Sequence, residues 1–295
     1  MTLNPQSLEG KPFEIRSLSS AGQSIKGLFA SRDIKKGELI IAEKPLFVCR
    51  GNFAASFEKL SHSDKELFLT YTDAYESDTR PKTVTGIART NSLPLGDRPD
   101  EAGFFPICSL FNHSCSPNVT HRFHRKQFVE KFFAVRDITA GDQLCTSYMD
   151  VHDTLSNRQQ EIVQGFNFNC TCTFCSELNT NSTKLVASDR NRSKLLHLDE
   201  NFPDLLYTPQ KAIALTEGRI QLMIEEGLEY LISSAYYDSF QICIAYRQLT
   251  SVAQEFAKKA FDFAVLHYGG DSDLAQNYLV YVNNPTTHKN AWLLG

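Results

Sequence analysis

The segment FNHSCSPN at 111–118 sets an amide, an imidazole, hydroxyls, a thiol and a second amide directly against the apolar run FFPICSLF. Polar groups beside a core are costly unless partners satisfy them, so the segment is either a turn or a place that grips a ligand. A second chemical signal is CTCTFC, with thiols at Cys170, Cys172 and Cys175. Three thiols at this spacing, with no strand pattern between them, read as metal ligands, and soft thiolates favour zinc. A closed structural site needs a fourth donor. Cys49, Cys108, Cys145 and Cys243 stand in the apolar settings LFVCR, FPICSL, QLCTSY and QICIAY, which suit buried, inert thiols. Cys115 stands in a polar loop and is the expected fourth ligand.

These groups need a scaffold. A chain of 295 residues exceeds one typical core, so two lobes, or one domain with a sizeable appendage, are expected. Hydrophobic residues at 42% and aromatics at 11% suffice for a packed interior. The net charge of -4 supplies no overall electrostatic reason to bind nucleic acid directly. The basic stretch HRFHRK at 121–126 reads as a solvated hairpin, with His121 and His124 at its surface. The opening MTLNPQSLEGKPFEIRS lacks a signal-peptide pattern, and no apolar run approaches the ~20 residues of a membrane span. An intracellular protein, cytoplasmic and/or nuclear, without membrane contact, is expected. In a reducing compartment its eight cysteines read as thiols or metal ligands rather than disulfides.

Residues 13–49 and 123–149 carry short β-branched or aromatic runs broken by glycine turns. Within them ASRDIKKGELI (30–40) and AVRDITAGDQL (134–144) echo one another, with Arg32 and Arg136 104 positions apart. They read as two similar hairpins of one small β domain. Between them, Phe57 to Tyr75 has helical character, and ESDTRPKTVTG follows as a polar loop. From about 184 the pattern turns helical. Thr208 is an expected N-cap with Pro209 at the first helical position. Tyr236, Phe240 and Cys243 share one helix face. Val252, Phe256 and Phe263 share another, on a helix ending at Gly269 and Gly270.

KGLFASRDIKKGELIIAEKP, RTN at 89–91, NHSCSPN at 112–118, GDQLCTSYMD at 141–150 and RQQEIVQGFNFNCTCTFC at 158–175 together resemble a SET-domain protein lysine methyltransferase. Their order is similar to the SMYD-like branch. The resemblance implies an α+β protein: a β-rich SET domain over 1–157 with an insertion at about 50–105, a cysteine-rich post-SET zinc segment over 158–180, and an all-α C-terminal region over 184–295. It implies that S-adenosylmethionine is bound by Asn112 and His113, by Lys26, Gly27 and Leu28 in a glycine turn, and by Asn91. Tyr148 matches the catalytic tyrosine, beside the cofactor. Phe166 and Phe168 match an aromatic pair that covers the cofactor and walls the lysine channel. Cys115, Cys170, Cys172 and Cys175 match the zinc ligands, in agreement with the reading from the thiols alone. The chain departs from the pattern at two places. Ile25 occupies the first glycine position of the turn, and Phe166 stands where a tyrosine is usual. The insertion has no CxxC pair, so no MYND finger is expected within it.

Methyl transfer is an in-line displacement by a neutral amine, so such a protein has to align two reactants and present a lysine without its proton. The expected activity is S-adenosylmethionine-dependent N-methylation of a lysine in a histone or non-histone protein. Ile25 and Phe166 leave open a second reading, a catalytically weak SET module that binds other proteins. A zinc-bound nucleic-acid module is disfavoured, because the chain is acidic overall and the cysteine motif lacks a basic recognition helix.

Overall fold

The structure, a computed structural model, describes residues 9–20, 23–96 and 100–295. The first eight residues of the opening stretch, and residues 21 and 22 of the first β-rich region, lie outside the described residues. The strands are β1 (Phe13–Ser20), β2 (Gln23–Ala30), β3 (Leu39–Glu43), β4 (Phe47–Arg50), β5 (Leu93–Pro94), β6 (Glu101–Phe104), β7 (Asn112–His113), β8 (Val119–His124), β9 (Val129–Ala134) and β10 (Gln143–Thr146). They form three small sheets, in the orders β1-β2-β10-β7, β3-β9-β8 and β4-β6-β5. The helices are α1 (Phe53–Glu58), α2 (His62–Leu69), α3 (Val84–Asn91), α4 (Leu155–Phe166), α5 (Thr173–Thr180), α6 (Ser182–Asn201), α7 (Pro209–Glu225), α8 (Ile232–Cys243), α9 (Thr250–Tyr268) and α10 (Asp273–Asn283).

The chain divides into two compact units. One takes the described residues up to Ser114, with Asn118–Met149 and Gln159–Cys170; the other takes Cys115–Pro117, Asp150–Arg158 and Thr171–Gly295. The first is built on Leu28, Ile34, Ile41, Phe104, Phe105, Phe132 and Ile138, all buried. Its insertion is held by an aromatic cluster. The Phe68 ring lies 5.5 Å from Phe47 and 4.8 Å from Phe104, and Tyr71 packs edge-on to Phe104 at 4.8 Å.

The two echoed segments do not close separate hairpins. β2 pairs with β10, with Leu28 opposite Leu144, while β3 pairs with β9, with Leu39 opposite Phe133. Each segment's entering strand thus joins the other's leaving strand, and Ile34 and Ile138 bridge at the crossing. The two aspartates of the echo act reciprocally. Asp33 Oδ1 accepts from the Ala140 N–H at 2.9 Å, and Asp137 Oδ1 accepts from the Lys36 N–H at 2.9 Å. Gly37 (φ 80°) and Gly141 (φ 94°) make the two turns in the left-handed region that glycine tolerates.

Other expectations are refined or corrected. The helical stretch at 57–75 is two short helices, α1 and α2, and the polar loop ends at Thr83, whose hydroxyl accepts from the Gly86 N–H to start α3. His121 and His124 are not surface residues. His124 is buried, and His121 pairs with the buried Glu130 at 2.8 Å while stacking on Phe132 at 4.6 Å. The hairpin is amphipathic, and its polar composition hid the face that joins the core.

In the second unit, Thr208 is the N-cap residue of α7 with Pro209 following, though the threonine side chain makes no capping bond. Tyr236, Phe240 and Cys243 are buried on α8, and burial pushes the Cys243 thiol up to about 12. α9 ends at Gly269. No helix among the described residues is long and apolar enough to cross a membrane.

Candidate active site and cysteine cluster

The apolar run before Asn112 is pinned from below. The Glu43 carboxylate, on β3, accepts from the Ile107 N–H at 2.9 Å and the Cys108 N–H at 2.7 Å. Burial raises both the Glu43 carboxyl and the Cys108 thiol above their ordinary values. The chain then leaves a single 3-10 turn, Cys108–Leu110, and enters β7, which runs parallel to β10 with Asn112 opposite Cys145 and His113 opposite Thr146. Asn118 closes the loop. Its side-chain amide donates to the Gln143 carbonyl at 2.9 Å and accepts from the Cys145 N–H at 2.8 Å, so the second amide of FNHSCSPN is a structural clamp on β10.

This clamp sets Tyr148, which follows β10. The Tyr148 N–H donates to His113 Nδ1 at 3.1 Å, which leaves the ring's own proton on Nε2, and the Tyr148 hydroxyl donates to the Phe111 carbonyl at 2.8 Å. The Tyr148 ring stands 5.4 Å from His113 and 4.9 Å from Phe166. Burial, reinforced by the nearby Cys145, raises the phenol well above the ordinary tyrosine range, so it stays protonated at neutral pH.

Lys26, Gly27 and Leu28 do not form a turn. They lie within β2, opposite Ser17, Arg16 and Ile15 of β1. Leu28 is fully buried in the core, and the Lys26 carbonyl accepts from the Asn112 side-chain amide at 3.1 Å. A Cβ on Gly27 would stand 2.8 Å from both Asn112 Nδ2 and Gln143 Nε2, so glycine is needed here for close approach rather than for a positive φ. Ile25 lies two residues along the same strand, and therefore on the same face as Gly27. Asn91 closes α3. Its amide donates to the Thr72 carbonyl at 2.7 Å and the Ile87 carbonyl at 2.6 Å, and its own carbonyl accepts from the Ser109 hydroxyl at 2.7 Å.

Phe166 is the last residue of α4, and Asn167 turns the chain at φ 56°, so the two phenylalanines do not share a strand face. Phe168 is 37% exposed, its ring 6.4 Å from His113. Residues that sequence reasoning passed over hold this end of the helix. The Tyr75 hydroxyl donates to the Gly165 carbonyl, and the Asn167 amide donates to the Ala74 carbonyl at 2.8 Å. Residues 73–75 are in turn ordered by Asp73, whose carboxylate accepts from the N–H groups of Tyr75 at 2.9 Å and Thr83 at 3.0 Å. Burial opposes the Asp73 charge, yet these donors outweigh it and hold the carboxyl below its ordinary value. Tyr75 closes the stretch read as helical, and nothing in that pattern marks a tyrosine that lies beyond the end of α2 and bonds to a distant carbonyl.

The Sγ atoms of Cys115, Cys170, Cys172 and Cys175 all lie within 4.8 Å of one another. A tetrahedral zinc with Zn–S of ~2.3 Å requires sulfurs about 3.8 Å apart, so this donor set fits a closed four-thiolate site. The Cys172 sulfur already accepts from two amides, the N–H groups of Cys115 and Cys175, each at 3.5 Å. Gln159 on α4 clamps Cys170, accepting from its N–H at 2.9 Å and donating to its carbonyl at 2.8 Å. Cys49, Cys108 and Cys243 are buried away from this group as expected, whereas Cys145 is only half-buried.

Residues 26–149 match the SET domain family. The chain is 31% identical to the histone-lysine N-methyltransferase set5 of Schizosaccharomyces pombe over 267 residues, covering 89% of this chain and 82% of that protein. Shorter stretches resemble the N-lysine methyltransferase SMYD2-A of Xenopus laevis (36% identity, 28% of this chain, 19% of that protein) and the histone-lysine N-methyltransferase SMYD3 of Homo sapiens (31% identity, 30% and 20%). Similarity of that extent to set5, joined to the SET match over β2 to Tyr148, assigns the chain: it belongs to the SET-domain protein-lysine methyltransferases, which transfer a methyl group from S-adenosylmethionine to lysine.

Proposed function

We propose that this protein methylates a lysine of a histone or another protein at a site centred on Tyr148, and that the cysteine cluster holds a structural zinc. The observation that carries this reading is the enclosure of Tyr148 by Phe111, His113 and Phe166. Bound S-adenosylmethionine would supply an electrophilic methyl group on a sulfonium. Asn112 and His113, the β2 backbone at Lys26, Gly27 and Leu28, and the Asn91 end of α3 would hold it. Phe166 and Phe168 would cover it and exclude water.

The Tyr148 hydroxyl has already committed its proton to the Phe111 carbonyl, so toward an incoming amine it can only accept. An amine N–H bonded to that oxygen would be held in one orientation, with its lone pair free to react. Tyr148 therefore orients the amine and is not its base, which its raised phenol also opposes. Loss of the lysine proton is left to water, aided by the low-dielectric aromatic wall and the neighbouring sulfonium.

The domain reading that accompanies this is a SET domain over 1–157, a post-SET zinc segment over 158–180 and a helical region over 184–295. The set5 and SMYD3 relatives are named for histone lysine, and core histones are the first substrate to try. Purified protein should bind S-adenosylmethionine in a calorimetric titration and transfer its labelled methyl group to core histones or to a protein of a fractionated lysate, identified by mass spectrometry. Binding without transfer to any protein would sink the catalytic reading.

A further inference from the structure

Two guanidinium groups are buried beside the cysteine cluster. The Arg192 side chain has no exposed surface. It donates through Nε to Glu226 Oε2 at 2.9 Å, through Nη1 to the Val151 carbonyl, and through Nη2 to the carbonyls of Cys115 and Glu226, both at 3.0 Å. Arg158 is 1% exposed and donates Nη1 to the Asp153 carbonyl, but its Nε and Nη2 have no hydrogen-bond partner among the described residues. Both cations lie against the ring of Phe174, which stands between Cys172 and Cys175 in the chain; the guanidinium carbons are 4.6 Å and 5.7 Å from its centroid.

Arg158 has no bonded carboxylate among the described residues, and the largely exposed Asp150 acts on Arg192 only through its field. Among the described residues, the one carboxylate bonded to either guanidinium is Glu226, itself shared with Ser188 at 2.6 Å. A buried positive charge with no counter-charge is strongly disfavoured, and contact with an aromatic face offsets only a small part of that cost. Four thiolates around a divalent ion carry a net charge of about -2, an anion of the right sign beside the surplus cation.

We infer that Arg158 and Arg192 are the counter-charge of the zinc cluster, positioning residues that set how tightly Cys115, Cys170, Cys172 and Cys175 hold the metal. Arg192 reaches it through the Cys115 carbonyl, and Arg158 through its field across Phe174. This rests on the zinc reading above, and zinc affinity tests the two separately.

The full-length chain would be purified with its metal, its zinc counted by elemental analysis, and its zinc affinity measured by competition with a chromophoric chelator. Arg158→Met removes the charge at similar length and should weaken zinc binding by ~10-fold or more, the range seen when a metal's outer partners are lost. Arg158→Lys should recover most of it. Glu226→Gln removes the competing negative charge while keeping the side chain's shape, and should tighten zinc binding. The sign separates charge from packing, since a purely structural role predicts looser binding on losing the Arg192–Glu226 pair. The inference is overturned if Arg158→Met holds zinc as the wild type does, if lysine restores nothing, or if Glu226→Gln binds equally or more weakly. Should Arg158→Met not fold, Glu226→Gln decides alone. A wild-type chain without zinc would overturn both readings, whereas zinc-bound wild type with indifferent variants would overturn only the counter-charge.

Discussion

A single hydroxyl at Tyr148 has its donor spent on the Phe111 carbonyl, and in the proposed reaction its lone pairs would accept from the substrate amine. Tyr148→Phe should lower turnover at least ~10-fold, as an orienting hydrogen bond is lost from the reacting geometry, with little change in S-adenosylmethionine affinity. The phenol is raised, so it remains protonated through neutral pH and well into the alkaline range. Turnover should rise with pH as substrate lysine loses its proton, without a descending limb from Tyr148. Wild type and Tyr148→Phe should therefore give pH profiles of the same shape and different height; a limb that vanishes in the variant would restore Tyr148 as the base. Gly27→Val meets a different obstacle. Its Cβ would stand 2.8 Å from the side-chain amides of Asn112 and Gln143, displacing Asn112 from the Lys26 carbonyl. Cofactor affinity should fall by ~10-fold or more by calorimetry, about the loss of one charge-free hydrogen bond together with local strain. Undiminished affinity would place the cofactor elsewhere.

At the scale of elements, the C-terminal end of α4 carries Phe166, the proposed aromatic wall, and the insertion holds it through the Tyr75 hydroxyl and the Ala74 carbonyl. Tyr75→Phe deletes one hydrogen bond and leaves the ring, so urea denaturation should show a loss of about 1 kcal/mol. Turnover should fall by more than that suggests, between a few-fold and ~100-fold, because small misplacements of aligning groups are expensive. Unchanged turnover with the same loss of stability would make the clasp purely structural. The echo of ASRDIKKGELI in AVRDITAGDQL was legible as a repeat, but its pairing was not. Local pattern marks a strand and a turn, whereas the choice between folding back and crossing over belongs to the reciprocal bonds of Asp33 and Asp137, 104 residues apart.

At the scale of the molecule, the cysteine cluster draws residue 115 to residues 170–175. Purified protein should carry about one zinc per chain at this site, since four thiolates close the tetrahedral shell. Cys172→Ser should lose the metal and methyl transfer together while far-UV circular dichroism keeps most of its signal, because local unfolding costs less than global unfolding. Cys49→Ser, at a buried thiol outside the cluster, should keep its zinc. Full activity in a metal-free Cys172→Ser sample would uncouple zinc from catalysis, and zinc loss in the Cys49 variant alone would assign the fourth ligand wrongly.

The thiol cluster, the β-then-helical order and the family were legible in the sequence itself, because thiol spacing, glycine turns and apolar periodicity are local properties of a chain. The identification of Cys115 as the fourth thiol was also within its reach, since only that cysteine outside CTCTFC lacked an apolar setting. Tertiary structure alone decided that Lys26–Leu28 is a strand packed under Asn112, that His124 is buried, that Asn91 ties the end of α3 to Thr72 and Ser109, and that Tyr75 clasps the C-terminal end of α4. It also buried Arg158 and Arg192 beside the thiols. Each of these depends on which distant group supplies the partner for a polar atom, and a hydrogen-bond donor looks the same in the sequence whether water or a carbonyl ninety residues away will satisfy it.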